Sequence, residues 1–91
     1  MSIRITGIRL QGGEQHEHIT HLRWAEDGTQ NGGIDTRAQL VAWVDGGVQT
    51  YVNEGGRRVE VRVVTPPHGA KYLRTVADGY YTNNLLALPR V

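Results

Sequence analysis

The stretch Arg58-Val59-Glu60-Val61-Arg62-Val63 alternates charged and β-branched residues without a break, and this period of two dictates a strand. Successive side chains of a strand leave on opposite sides, so the valines must enter a core while Arg58, Glu60 and Arg62 face away from it. A helix would scatter the same residues around its circumference. Glu54-Gly55-Gly56-Arg57 and Pro66-Pro67-His68-Gly69-Ala70 punctuate this strand at its two ends, which predicts hairpin partners over residues 48–53 and 71–77. A loop over 54–57 sets Val52 opposite Val59, Thr50 opposite Val61 and Val48 opposite Val63. A loop over 66–70 sets Val63 opposite Leu73 and Val61 opposite Thr75. Both registers gather one apolar face and leave Gln49, Tyr51, Arg58, Glu60, Arg62, Tyr72 and Arg74 on the other. A slip of one residue would reverse every one of these assignments.

Around this hairpin pair the remaining elements are shorter. Ile3, Ile5, Ile8 and Leu10 make a strand whose parity slips at Gly7, as a bulge requires. A second strand is predicted from His18 to Trp24, followed by a polar loop from Glu26 to Gly33. Thr36-Arg37-Ala38-Gln39 matches a capping box, and Leu40, Val41 and Val44 lie on one helical face that Gly46-Gly47 terminates. Asp78-Gly79 signals a hairpin into Tyr80-Tyr81. Residues 83–84 read as Asn pairs serving local backbone bonding. The fold class is therefore α+β: a single domain over residues 1–91, mainly an antiparallel meander, with one short helix packed on one face. Leu85, Leu86 and Leu88 close the chain with an apolar segment that a domain this small is expected to bury against a second subunit, so a homo-oligomer is expected.

Composition narrows the function. With 91 residues there is one core, and the absence of Cys excludes disulfides and thiolate metal sites. A net charge of +1 is too small for bulk binding to duplex nucleic acid. No stretch approaches the roughly 18 apolar residues that cross a membrane, and the first residues lack a signal peptide's apolar run, so a cytoplasmic protein is expected. Ser2 is the only serine, which removes Ser or Cys nucleophiles, and no phosphate loop or dinucleotide fingerprint occurs; neither a catalytic residue nor a cofactor is assigned. Charge is unevenly placed. Residues 1–35 hold three Arg against five acids, whereas residues 36–91 hold seven basic residues against four acids, and nine of the ten basic residues are Arg, the side chain suited to bidentate phosphate contact.

The register places Arg62 directly opposite Arg74, a like-charge pair that costs a few tenths of a kcal/mol unless something uses it. Flanked by the rings of Tyr51 and Tyr72, such a pair suits a phosphate-bearing, base-bearing ligand. The competing reading is that Glu60, diagonal to both, neutralises the arginines and the face meets water. His16-Glu17-His18-Ile19-Thr20-His21 supplies three imidazoles. No regular element gathers all three, so no metal is assigned, and His16, His18 and His21 join the ligand-contacting set. The run contains one His-x-Thr motif, whereas two-histidine phosphoesterases use two.

Ile3-Arg4-Ile5-Thr6-Gly7-Ile8-Arg9, His16-Glu17-His18-Ile19, Leu22-Arg23-Trp24, the helix from Thr36 to Val44, Lys71-Tyr72-Leu73-Arg74-Thr75, Asp78-Gly79 and Asn84-Leu85-Leu86-Ala87-Leu88-Pro89 together resemble family 3892 of the domains of unknown function. The resemblance spans nearly the whole chain and implies a single-domain bacterial or phage protein without an established activity. Asn83 departs from the acid that the family pattern implies there. The expected function is a non-enzymatic, oligomeric binding protein that sequesters a small anionic nucleotide-like ligand. By analogy with phage proteins, that ligand would be a host immune signal. The alternatives are an interaction module that inhibits a host protein and a His-dependent phosphodiesterase.

Overall fold

The computed structural model describes residues 2–77 and 79–91. Strands β1 (Ser2–Leu10), β2 (Ile19–Glu26) and β3 (Gly32–Thr36) form one antiparallel meander; β4 (Gln49–Glu54), β5 (Arg57–Val64), β6 (Tyr72–Ala77) and β7 (Tyr80–Thr82) form another. A 3-10 turn (His16–His18) precedes β2, and helix α1 (Arg37–Asp45) separates the two meanders. The meanders join through a parallel pairing of β1 with β4, giving the order β3-β2-β1-β4-β5-β6-β7. The sheet is thus mixed, which corrects the expected all-antiparallel meander. Parallel neighbours need a long crossover. Here β2, β3 and α1 supply it, and side-chain alternation carries no information about which strands become neighbours.

Both predicted hairpin registers share their parity with the observed ones. Val52 faces Val59, while Val61 faces Thr75, Arg62 faces Arg74 and Val63 faces Leu73. The first loop is tighter than expected, reduced to Gly55-Gly56 with φ of 58° and 85°. Positive φ at both positions gives the mirror-image turn whose twist matches paired strands, which glycine adopts without strain. The β4–β5 ladder ends at Tyr51↔Glu60, so the expected pairs of Thr50 with Val61 and Val48 with Val63 are not formed as ladder pairs. A further difference is β3, which occupies the end of the segment expected to be a loop. Its sequence, Gly-Gly-Ile-Asp-Thr, has little strand signal, and pairing with β2 imposes its extension.

The parity slip at Gly7 is a bulge, with Ile5 opposite Trp24 but Gly7 opposite Arg23. It lies beside the other end of the chain. Residues after β7 return to β1, where Ile8 N–H donates to Pro89 O at 3.0 Å and Val91 N–H donates to Ile8 O at 2.9 Å. A Cβ at position 7 would sit 2.7 Å from Val91 Cγ1 and 3.3 Å from Pro89 O, so a larger residue there would have to displace the Val91 side chain and crowd the returning backbone. The C-terminal segment thereby closes the circuit β1-β4-β5-β6-β7 around a core of Ile3, Ile5, Ile8, Ile19, Leu22, Val52, Val61 and Leu73. Leu85 is fully buried in this core, with Leu86 and Leu88 packed against it. Leu85 therefore completes the chain's own interior, while Leu86 and Leu88 are only partly buried against it.

Helix α1 starts where expected. Thr36 Oγ1 accepts from Gln39 N–H at 3.2 Å, and Gly46 and Gly47 end the helix. Leu40 and Val41 are buried, and Trp43 meets Trp24 edge to face with centroids 5.2 Å apart. Nine residues are too few to be stable by propensity alone, so packing onto the sheet holds the helix.

Candidate functional site

On the outward face of β5, β6 and β7, charged and aromatic side chains stand side by side. Arg62 and Arg74 are direct cross-strand neighbours. The β6–β7 pairing sets Val76 opposite Tyr81, so Tyr81 shares a face with Arg74 and Val76. The hairpin expected at Asp78-Gly79 has Asp78 outside the described residues; Gly79 has φ of 82°. The Arg74 guanidinium lies 5.3 Å from the Tyr81 ring centroid, a cation–π distance. Arg74 Nε donates to Thr82 O at 3.3 Å and its Nη2 donates to Asn83 Oδ1 at 3.2 Å. These acceptors are neutral, so Arg74 is oriented without being neutralised. Asn83 stands where an acid would have cancelled that charge.

Arg62 is held differently. Its Nη2 lies 3.0 Å from Glu60 Oε2, and this hydrogen bond and charge push the Arg62 pKa further up. Both side chains are more than half exposed, 60% and 57%, and exposed pairs of this kind contribute about 0–1 kcal/mol. A phosphate dianion is a stronger partner than one solvated carboxylate, so Glu60 does not close the site.

Two depressions flank Arg62. Beyond Tyr51↔Glu60 the strands β4 and β5 separate and open a cleft of about 590 Å³, lined by Asp45, Thr50, Tyr51, Arg58, Glu60 and Arg62 among others. On the opposite side Arg62, Val76, Gly79 and Tyr81 line a shallow depression of about 170 Å³. The first has the volume of a small-molecule site, and Arg62 is the wall common to both.

The aromatic neighbours are not the expected ones. Tyr51 is 8% exposed, with the Arg58 guanidinium 4.2 Å above its ring centroid. Its hydroxyl donates to Asp27 Oδ1 at 2.6 Å, Ser2 Oγ donates to Asp27 Oδ2 at 2.7 Å, and Arg58 Nη2 lies 3.5 Å from that oxygen. The bond from Tyr51, then that from Ser2, then the Arg58 and Arg4 charges hold Asp27 below the usual carboxylate range; the same bond raises Tyr51. This clamp fastens the β2–β3 turn to β1 and β4. Tyr72, half-buried, faces His16 instead of the arginine pair, with ring centroids 6.5 Å apart. Tyr81, at 54% exposure, is the ring beside the arginines, with Tyr80 still more exposed next to it.

The histidine run is dispersed. His16 is 5% exposed in the 3-10 turn, and its Nε2 has no hydrogen-bond partner among the described residues. His18 Nδ1 accepts from Gln15 N–H at 3.1 Å, which leaves the proton of the neutral ring on Nε2, and His21, on β2, bonds Thr20 Oγ1 at 3.0 Å. Among the described residues no three His, Asp or Glu side chains form a group able to hold a metal ion. Of the two arginines, Arg74 acts on His16. Burial first, and then the charge of Arg74, pushes its pKa below the ordinary 6.5, while Glu17 opposes both. The unfolded chain then takes up a proton near pH 6.5 that the folded chain refuses, so stability falls as the pH drops below that value. Urea midpoints compared at pH 7.5 and 5.5 are expected to fall with acidification in the native protein, and by less in His16→Phe. An equal fall in both would remove His16 as the cause.

No helix among the described residues is long and apolar enough to cross a membrane. A family model described as a protein of unknown function, DUF3892, matches residues 4–89. No curated protein matches the chain, and no solved structure does.

Proposed function

Because the chain belongs to the DUF3892 family, whose description assigns no activity, we propose from geometry alone that it is a non-catalytic protein that binds and sequesters a phosphate-bearing aromatic molecule of the nucleotide class. The observation that carries this reading is the in-register Arg62–Arg74 pair with the exposed Tyr81 ring beside it. The pair supplies bidentate donors for a phosphate, and Tyr81 supplies a flat, solvent-facing surface on which a base stacks. Like charges held side by side lower stability, and an anion between them reverses the sign of that interaction. The cleft along β4 and β5 gives the sugar and any second phosphate room beside Arg62 and Arg58.

Nothing in this set serves as a general base. Glu60 is bound to Arg62, and the imidazoles lie elsewhere: His16 buried, His18 and His21 tied to Gln15 and Thr20. Binding without turnover is therefore expected. Calorimetric titration with nucleoside mono- and diphosphates, followed by chromatography of the released ligand, tests both halves. Saturable binding with the nucleotide recovered intact supports the reading. No heat for any of them, or a hydrolysed product, rejects it.

Asn83 offers a graded test. Asn83→Asp places a carboxylate about where Asn83 Oδ1 now accepts from Arg74. The expected result is a stability gain of about 0.5 kcal/mol, typical of an exposed ion pair, together with weaker nucleotide binding. Thermal denaturation and the same titration measure the two effects. Tighter binding in the Asp variant would contradict the role given to Arg74.

A further inference from the structure

Asn31-Gly32 closes the turn between β2 and β3, and it sets a side-chain amide beside a backbone nitrogen that nothing shields. Asn31 is exposed. Among the described residues its Nδ2 has one partner, Glu26 Oε2, at 3.4 Å, which is longer than a usual hydrogen bond. Gly32 carries no Cβ to screen its nitrogen. Glu26 N–H donates to Asn31 O at 2.9 Å, so these two residues form the bonded pair at the end of the ladder. Bonded pairs alternate along antiparallel strands. Gly32, the next residue, therefore turns its N–H away from β2, toward the side on which β3 has no neighbouring strand among the described residues. The fold also keeps the glycine in place. A Cβ at 32 would stand 2.7 Å from Trp24 O, so any side chain there would force the β2 backbone to move.

Asp27-Gly28, in the same turn, has the same pairing of residues in the opposite surroundings. Its carboxylate accepts from the Tyr51 and Ser2 hydroxyls and lies 3.5 Å from Arg58 Nη2. These partners hold it as an anion, which is a poor electrophile, and fix it in place.

We propose that Asn31 is a modification site, at which the native protein deamidates spontaneously through a cyclic imide. Gly32 N gives its proton to solvent base and bonds to Asn31 Cγ; the Cγ–Nδ2 bond breaks and Nδ2 leaves as ammonia. Water then opens the ring. Opening at Cγ gives aspartate, and opening at the main-chain carbonyl gives isoaspartate. In isoaspartate the chain runs through Cβ and Cγ, so the carbonyl that accepted from Glu26 N–H becomes part of a free carboxylate. Either product sets a new negative charge beside Glu26, and isoaspartate also removes the first bonded pair of the β2–β3 ladder. The proposal is independent of the nucleotide reading.

Peptide mass spectrometry on native protein aged in warm, mildly alkaline buffer, with isoaspartate tagged by an isoaspartyl methyltransferase, tests it. Asn31 is expected to convert about tenfold faster than Asn53, Asn83 or Asn84, which corresponds to a barrier lower by about 1.4 kcal/mol. Isoaspartate is expected at 31 and not at 27, and hydrogen exchange on the converted protein is expected to show Glu26 N–H losing protection. Asn31→Gln, whose longer side chain would need a larger ring, is expected to keep its amide. An Asn31 that stays intact in the native protein while the urea-unfolded chain loses it overturns the proposal, because the fold then shields the pair. So does conversion led by Asn53, Asn83 or Asn84, or isoaspartate arising first at Asp27.

Discussion

Replacing both Arg62 and Arg74 by Ala is expected to weaken nucleoside phosphate binding by about 100-fold or more while leaving the fold intact. Hydrogen bonds to a charged group contribute about 1.5–3 kcal/mol each, and each factor of ten is about 1.4 kcal/mol, so two lost guanidinium contacts account for that range. Stability is expected to move by less than about 1 kcal/mol. The loss of Arg74's bonds to Thr82 and Asn83 is offset by relief of the cross-strand repulsion. Tyr81→Ala on its own is expected to weaken binding by about 5- to 100-fold, the loss of one stacked ring, with no change in thermal midpoint. Calorimetry on the three variants reads these differences. Binding that survives the double replacement would place the ligand elsewhere or nowhere.

The second large effect concerns the closure of the fold. Leu85→Ala is expected to destabilise the protein by about 2–5 kcal/mol, because it empties a fully buried position where the C-terminal segment meets the core. Small domains have only about 5–15 kcal/mol in total, and at roughly 4–8 °C per kcal/mol the melting temperature should fall by about 10 °C or more. The loss would reach the other terminus as well, because Pro89 and Val91 hydrogen-bond to Ile8 on β1. Scanning calorimetry measures it. A shift of only a degree or two would mean that Leu85 is not part of the interior, which would return it to the surface role expected from sequence.

Local pattern carried much of this architecture and stopped where non-local choices began. The Val59, Val61, Val63 alternation and the flanking glycine and proline turns fixed the parity of two hairpins, so Arg62 stands opposite Arg74 as read. Thr36 caps the helix for the reason its spacing suggests. The parallel β1–β4 pairing was invisible because neighbour order depends on the long crossover, not on alternation. Strand β3 was hidden by two glycines whose extension β2 imposes. In the site, alternation alone puts Tyr51 and Tyr72 on the same face of their strands as Arg62 and Arg74. Position on a face does not reveal that Asp27, from a distant turn, captures the Tyr51 hydroxyl, or that His16 stands beside Tyr72. Tyr81 was within reach of sequence reasoning. The hairpin expected from Asp78-Gly79 implies Ala77 opposite Tyr80, and with that register the next pair brings Tyr81 to the face of Arg74.

A heteronuclear NMR titration of the ¹⁵N-labelled protein with adenosine monophosphate, run beside inorganic phosphate, tests the arginine pair as a phosphate site most directly. Saturable shifts are expected at Arg62 and Arg74 with both ligands, and at Tyr81 with the nucleotide, where the base adds its ring current. Shifts confined to other strands, or none at millimolar nucleotide, would contradict it.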